Sequence, residues 1–186
     1  MVRQLTSRVN ALSKMAKNAT FKTRLMAANG TFISALAYLI PLWGGTEGYL
    51  LKGLQVLQNR AARCVTKLSW FTSTRILLNK CGWLSIRQLV FYHSALQIYK
   101  VIKSGTPLYL SQHLVTEHAY PTRQAVGGGL RYTSCNSGKH SLTQNSFFGR
   151  APRLFNQIPG EIRAAPSLPT FKRKLKAWVK ANIPIE

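Results

Sequence analysis

The sequence predicts an all-α fold, a basic multi-helix bundle with an irregular loop or short hairpin region and a C-terminal helical segment. Three observations support this class. Apolar residues recur at helical spacing through most of the 186 residues. Glycine and proline separate these stretches as helix-ending residues do. The net charge of +22, from 26 Lys and Arg against four acidic residues, is carried mainly by the apolar segments, which distinguishes the chain from a disordered basic tail.

The N-terminal part predicts two helices, over residues 2–17 and 20–42. Thr20 is a suitable N-cap for the second helix, because its hydroxyl can accept from the first free backbone N–H groups. Gly30 is a weak point inside that helix. The Gly44-Gly45 pair then ends the helical pattern.

A third helix is predicted from a cap at Thr46, with Glu47 in its first turn, to about Lys67. Helical spacing places its apolar residues on one stripe: Leu50, Leu54, Leu57, Ala61, Cys64 and Leu68. A cationic stripe lies about a quarter turn away and consists of Arg60, Arg63 and Lys67. This helix therefore packs on one side and presents cations beside it.

The middle of the chain predicts a short helix over residues 73–80 and a longer one that Ser85 caps and Gly105 ends. The longer helix is apolar almost all round, so we expect it to be buried. Residues 113–142 lose the pattern. Their glycine, serine and threonine content predicts a loop or short hairpin.

The C-terminal part predicts a helix from about Ser146 to Ile158, which tolerates Pro152 only in its first two turns. Ser167 caps the last helix. Its apolar face consists of Phe171, Leu175, Trp178 and Val179. We expect four cations on the opposite face: Lys172, Arg173, Lys176 and Lys180.

The charge imbalance predicts an anionic partner, and polyphosphate is the usual one, because each neutralised phosphate releases counterions. The sequence contains no aspartate, which excludes aspartate-based triads and leaves few carboxylates for two-metal chemistry. Three separated cysteines indicate a reducing compartment. No secretory signal or membrane span is evident after Met1, so we expect an intracellular protein, nuclear or cytoplasmic.

Several segments resemble, in colinear order, the C-terminal region of reverse transcriptases from jockey-like non-LTR retrotransposons. The closing pattern consists of Arg150–Pro159, Glu161–Arg163 and Ser167–Lys172, with Phe155 where the family often has tryptophan. Earlier segments that agree are Leu39–Gly45, Leu57–Thr66, Gly82–Leu89, Tyr92–Ser94, Tyr99–Lys100 and Pro107–Leu110. The resemblance covers nearly the whole chain.

The resemblance implies a thumb-like helical region over residues 1–112, a flexible basic or polar loop region over 113–142 and a helical C-terminal segment over 143–186. It also implies contact with a primer–template, either an RNA–DNA or a DNA duplex. The family is an RNA-directed DNA polymerase whose palm holds magnesium with an aspartate pair, which this sequence lacks. We therefore expect no enzyme activity from this chain, which would be a truncated copy or a fragment.

The predicted nucleic-acid-binding residues are the two cation sets, Arg60, Arg63, Lys67, Lys172, Arg173, Lys176 and Lys180. Phosphate contacts from such residues position a duplex without reading its sequence. Two alternatives remain open. The chain could be a protein-interaction module that docks on the missing polymerase half, or a non-functional remnant of a transposable element.

No cofactor is expected. His113, His118, Cys135 and His140 are of residue types that bind zinc, but their spacings are loose and we predict no metal site. His93 is expected at the surface or in a hydrogen bond. Cys64 is expected to be an inert core thiol.

Overall fold

The computed structural model describes residues 2–38, 40–46, 48–115, 130–132 and 145–185, and within them the all-α class is confirmed. The helices are α1 (Val2–Met15), α2 (Phe21–Ala28), a π-helical turn (Asn29–Ile33), α3 (Ser34–Ala37), α4 (Ile40–Trp43), α5 (Gly48–Thr66), α6 (Thr74–Cys81), α7 (Ile86–Ser104), α8 (Leu108–Ser111), α9 (Phe147–Asn156), α10 (Gly160–Arg163) and α11 (Leu168–Asn182). Two short strands, β1 (Leu114–Val115) and β2 (Arg131–Tyr132), pair antiparallel with Leu114 opposite Tyr132.

The chain divides into two compact units. Unit 1 contains residues 1–40, 46–89 and 183–186, and unit 2 contains residues 41–45 and 90–182. The division falls inside α7. The three segments predicted from the sequence, 1–112, 113–142 and 143–186, stay predictions, and residues 116–129 and 133–144 lie outside the described residues.

The core of unit 1 is built around α5, against which α1, α2 and α6 pack. The buried residues of α1 follow the three- and four-residue spacing of one helical face: Leu5, Val9, Leu12 and, just beyond the helix, Ala16. Arg24 of α2 is buried with them. Its Nε donates to the carbonyl oxygen of Val65 at 2.7 Å and its Nη1 to that of Ala19 at 2.6 Å, which satisfies the buried charge with backbone acceptors.

The predicted helix over residues 20–42 is interrupted. Its N-cap is Thr20 as expected, because the hydroxyl accepts from the backbone N–H of Thr23 at 3.3 Å. At Gly30 the backbone widens into the π-helical turn, consistent with the low helix propensity of glycine. Tyr38 has extended backbone, with ψ at 123°, and ends α3.

The buried stripe of α5 is rotated from the predicted one. Gln58 is fully buried, whereas Leu50 is exposed and Cys64 is only half-buried. Gln58 lies inside because its amide has partners there: its Nε2 donates to the carbonyl oxygen of Leu84 at 2.8 Å, and its Oε1 accepts from Gln55 at 3.0 Å. Apolar periodicity alone does not show such a pairing, so the expectation that Cys64 is a core residue is wrong.

α7 begins with reciprocal capping. The Ser85 hydroxyl accepts from the backbone N–H of Gln88 at 3.3 Å, while the Gln88 side chain accepts from the backbone N–H of Ser85 at 3.0 Å. The N–H of Ile86 donates to the side chain of Gln55 on α5 at 2.9 Å. The predicted cap is therefore present, and α5 adds to it.

The core of unit 2 is aromatic. The Tyr99 ring of α7 stacks on Phe171 of α11 with centroids 4.0 Å apart, and Phe155 of α9 lies 6.3 Å from Phe171. The Tyr99 hydroxyl donates to the carbonyl oxygen of Ala165 at 2.7 Å. These contacts join α7, α9 and α11 and fix which side of α11 faces outward.

Candidate nucleic-acid interface

The last helix, α11, carries four of the predicted nucleic-acid-binding residues. Phe171, Leu175 and Val179 are fully buried at four-residue spacing. All the predicted cations of this helix are exposed: Lys172, Arg173, Lys176 and Lys180. None of them has a hydrogen-bond or ion-pair partner among the described residues.

The arrangement of these cations differs from the predicted one in a single respect. At 100° per residue they occupy an arc about 100° wide, centred roughly a third of a turn from the buried residues rather than opposite them. Lys172, Lys176 and Lys180 form a row with about 6 Å of helical rise between neighbours. The row therefore begins beside the buried face at Lys172 and turns away from that face toward Lys180.

A polar strip on α7 continues the positive surface. Most residues of the unit 2 portion of α7 are buried, but His93, Gln97 and Lys100 recur at helical spacing and are half-buried or exposed. This strip leads into an open groove of ≈ 500 Å³. The groove is lined by Gln97, Tyr99, Lys100, Lys103, Ser104, Thr106, Pro166 and Leu168.

A separate cleft of ≈ 560 Å³ lies in unit 1. The unit 1 cleft lies between α5 and the start of α7 and includes Lys52 and Arg87. Within the unit 2 groove, the Lys103 ammonium lies 5.9 Å from the centroid of the Tyr99 ring, which holds one cation over an aromatic face.

His93 reports the positive potential around the α7 strip. Burial lowers the pKa of its imidazole below the ordinary value of 6.5, and the charges of Lys100 and Lys172 lower it further. The imidazole is therefore neutral at pH 7. Because Lys100 belongs to α7 and Lys172 to α11, cations of both helices act on the same side chain.

The other predicted cation set lies in unit 1 and is more engaged with the protein. Arg60 is exposed, and its Nη2 donates to the side chain of Asn10 on α1 at 3.3 Å. Arg63 is half-buried, and its Nη2 donates to the carbonyl oxygen of Trp70 at 3.0 Å.

Lys67 lies beyond the end of α5 in left-handed backbone, with φ at 54°. Its ammonium donates to the carbonyl oxygen of Lys17 at 3.2 Å. The predicted stripe of Arg60, Arg63 and Lys67 is therefore not one continuous helical row, and part of its hydrogen-bonding capacity is used inside unit 1.

Lys100 and Lys103 were not among the predicted site residues. The signal for Lys100 was present in the sequence as the spacing of His93, Gln97 and Lys100 along an otherwise apolar helix. No sequence pattern singles out Lys103, because it lines a groove that forms only when residues 166–168 lie beside α7.

Two other side chains, Arg150 and Cys64, are engaged within the protein. Arg150 donates to the carbonyl oxygens of Pro41 at 2.6 Å and Asn145 at 3.3 Å, and burial, with a smaller effect from Arg153, lowers its pKa. Burial raises the pKa of the Cys64 thiol, against smaller lowering effects that include Arg60, so the thiol stays protonated and unreactive at pH 7.

The chemistry open to the described residues is narrow. Glu161 is their one acidic side chain, so they cannot form a two-carboxylate metal site. No three potential metal ligands converge within the described ranges. Of the four zinc-compatible residues, His118, Cys135 and His140 lie outside the described residues.

No helix of the described chain is long and apolar enough to cross a membrane. Comparison with family models, with curated proteins and with solved structures returns no match. Function is therefore inferred from the charges of the described residues and their geometry, together with the sequence resemblance.

Proposed function

We propose that this chain binds the phosphate backbone of nucleic acid without sequence preference, as the C-terminal region of a jockey-like retrotransposon reverse transcriptase does against its primer–template. One observation carries the proposal. The α11 cations are exposed, without hydrogen-bond or ion-pair partners among the described residues, and they belong to the same unit as the lysine-lined groove.

Polyphosphate is the ligand that this surface suits best. The four glutamates of the chain cannot neutralise its 26 lysines and arginines, so most of the cations are available to an external anion. Each phosphate that a lysine or arginine neutralises releases condensed counterions, which favours binding at low salt. Flexible lysines make point-charge contacts that position a backbone but do not read bases.

The residues that carry the resemblance have mainly structural roles here. Asn156 accepts from the backbone N–H of Leu130 at 2.9 Å and donates to its carbonyl oxygen at 3.0 Å. Phe155 and Ile158 are buried in unit 2. Such roles agree with a pattern that maintains a scaffold, while the exposed cations contact the ligand. The polymerase chemistry of the family is not proposed for this chain.

A salt titration with the purified chain tests the proposal. Filter binding to two duplexes of unrelated sequence and to an RNA–DNA hybrid should show affinity that falls steeply as salt rises, by a similar amount for each ligand. An affinity that does not change with salt would contradict phosphate binding. A strong preference for one duplex sequence would contradict non-specific contact.

A second candidate is a protein-interaction module that docks on a polymerase domain. It is favoured by two adjacent exposed apolar residues of α8, Leu108 and Tyr109, since exposed apolar residues that lie together often mark protein contacts. Pull-down of a palm-containing partner at moderate salt should then depend on these residues, and the variant Leu108→Ser/Tyr109→Ser should lose the partner while keeping its affinity for duplex.

A further inference from the structure

Two aromatic rings project from the turn that joins α5 to α6. Phe71 is 94% exposed and Trp70 is 67% exposed. The turn itself is held by hydrogen bonds, from the N–H of Thr72 to the carbonyl oxygen of Ser69 at 3.1 Å and from the N–H of Phe71 to the Ser69 hydroxyl at 3.4 Å. Large apolar side chains this exposed on an ordered turn indicate a binding role.

Arg63 fixes one of the rings in place. Its guanidinium carbon lies 4.5 Å from the centroid of the Trp70 ring, in a cation–π contact. Its Nη2 also donates to the Trp70 carbonyl oxygen at 3.0 Å. The indole is thus held before any ligand binds, and the remainder of its surface stays open to solvent.

The turn lies among cations in a stretch without acids. Lys67 and Arg75 flank it on the two sides and are exposed. The sequence contains no aspartate or glutamate between Glu47 and Glu117. A ligand that combines flat aromatic groups with negative charge complements this surface.

We propose that Trp70 and Phe71 stack on unpaired bases of single-stranded nucleic acid, while Lys67 and Arg75 contact the adjoining phosphates. The proposal rests on the nucleic-acid-binding function proposed above and adds the single-stranded substrate class. Stacking is tolerant of sequence because every base has a π face. An anionic membrane is less suited, because two rings between Ser69 and Thr72 offer little apolar area for insertion.

The test uses the full chain and an oligothymidylate of about 20 nucleotides, which exceeds the roughly 4–16 nucleotides that single-strand binding folds occupy. Phe71→Ala and Trp70→Ala should each weaken binding by about 5- to 150-fold, the range reported for losing one stacked base. Tyr49→Ala is the matched control, since Tyr49 is 70% exposed in the same unit. It should change the affinity by less than about twofold.

An abasic oligonucleotide with the same number of phosphates separates stacking from charge. The wild-type chain should bind it more weakly than oligothymidylate, and Phe71→Ala should reduce that difference because only Trp70 then remains to stack. Phe71 has almost no contact to lose within the chain, so circular dichroism of this variant should match the wild type and a folding defect will not explain the result.

The outcomes distinguish this proposal from the broader one. Unchanged oligothymidylate binding by both alanine variants, with duplex binding intact, overturns the stacking proposal alone. If the wild type does not bind duplex but binds oligothymidylate in a way that depends on Trp70 and Phe71, the broader function is overturned instead. Binding to neither ligand overturns both. Variants that lose only their affinity for anionic vesicles would show a membrane contact and overturn stacking.

Discussion

Neutralising the exposed face of α11 should remove a defined part of the salt dependence of duplex binding. The variant changes four side chains to glutamine: Lys172, Arg173, Lys176 and Lys180. Glutamine keeps a helix propensity close to that of lysine and arginine, so α11 should remain folded. Its buried residues are unaltered, which leaves the packing of unit 2 in place.

The magnitude follows from counterion release. The slope of log affinity against log salt is about −0.9 for each phosphate contact with B-form DNA, so four lost contacts should make the slope less negative by about 3.6. Between 50 and 200 mM salt, a fourfold change, the wild-type affinity should therefore fall by a factor about 150 times larger than that of the variant.

The assay is filter binding to one duplex across this salt range. A control variant changes four exposed cations of unit 1 to glutamine, and so lowers the net charge equally: Arg3, Lys14, Lys22 and Lys80. Because none of these belongs to α11 or the unit 2 groove, the control should keep a slope near that of the wild type. Equal slopes for the two variants would refute the localisation to α11, because net charge alone would then explain binding.

Three further predictions concern single residues. A bound polyanion should offset the cations near His93 and raise the pKa of its imidazole, so duplex affinity should increase as pH falls from about 7.5 to about 5.5. His93→Gln should reduce that increase. An unchanged pH response in the variant would contradict this prediction. Tyr99→Phe should lower the free energy of unfolding by about 1–3 kcal/mol in urea titration, because it leaves a buried carbonyl without its donor; a loss under about 0.5 kcal/mol would count against it. Gly45→Ala should destabilise by about 1–3 kcal/mol, since its methyl group would overlap the backbone oxygen of Asn145. Gly53→Ala meets open space inside a helix and should stabilise by about 1 kcal/mol, so equal effects from the two alanines would contradict the packing described.

The sign of the His93 effect on stability follows from the same pKa shift. The folded-state pKa lies below the ordinary value of 6.5, so the unfolded chain binds the proton more readily. The contribution of neutral His93 is present above pH 6.5 and is lost as pH falls toward the folded-state pKa. The difference in the free energy of unfolding between the wild type and His93→Gln, measured by urea titration, should therefore change with pH below about 6.5 and stay constant above it.

Much of the helical pattern could be predicted from sequence because the relevant signals are local. Thr20 and Ser85 cap helices as predicted, and Phe171, Leu175 and Val179 follow the periodicity of a buried face. The failure at Cys64 has a non-local cause. Gln58 turns inward because Leu84 offers it an acceptor 26 residues away, and sequence periodicity contains no information about that partner.

The residues of the candidate site likewise divide into those that local sequence signals predict and those that depend on distant partners. Composition shows a surplus of cations, but it does not show that Lys67 and Arg63 are hydrogen-bonded within unit 1, whereas the predicted α11 cations have no such bond to the residues that the structure describes. The sequence also does not predict that the Phe71 side chain is exposed, because aromatic residues between helices more often pack in the core.

The sequence by itself determined the helical class, the approximate helix bounds and the positive charge, since spacing, capping and composition act over a few residues or do not depend on the fold. Only the tertiary structure decided which cations remain available and which aromatic residues stay exposed. The physical reason is that burial and hydrogen bonding depend on partners distant in the chain, such as Phe171 against Tyr99 and Trp70 against Arg63.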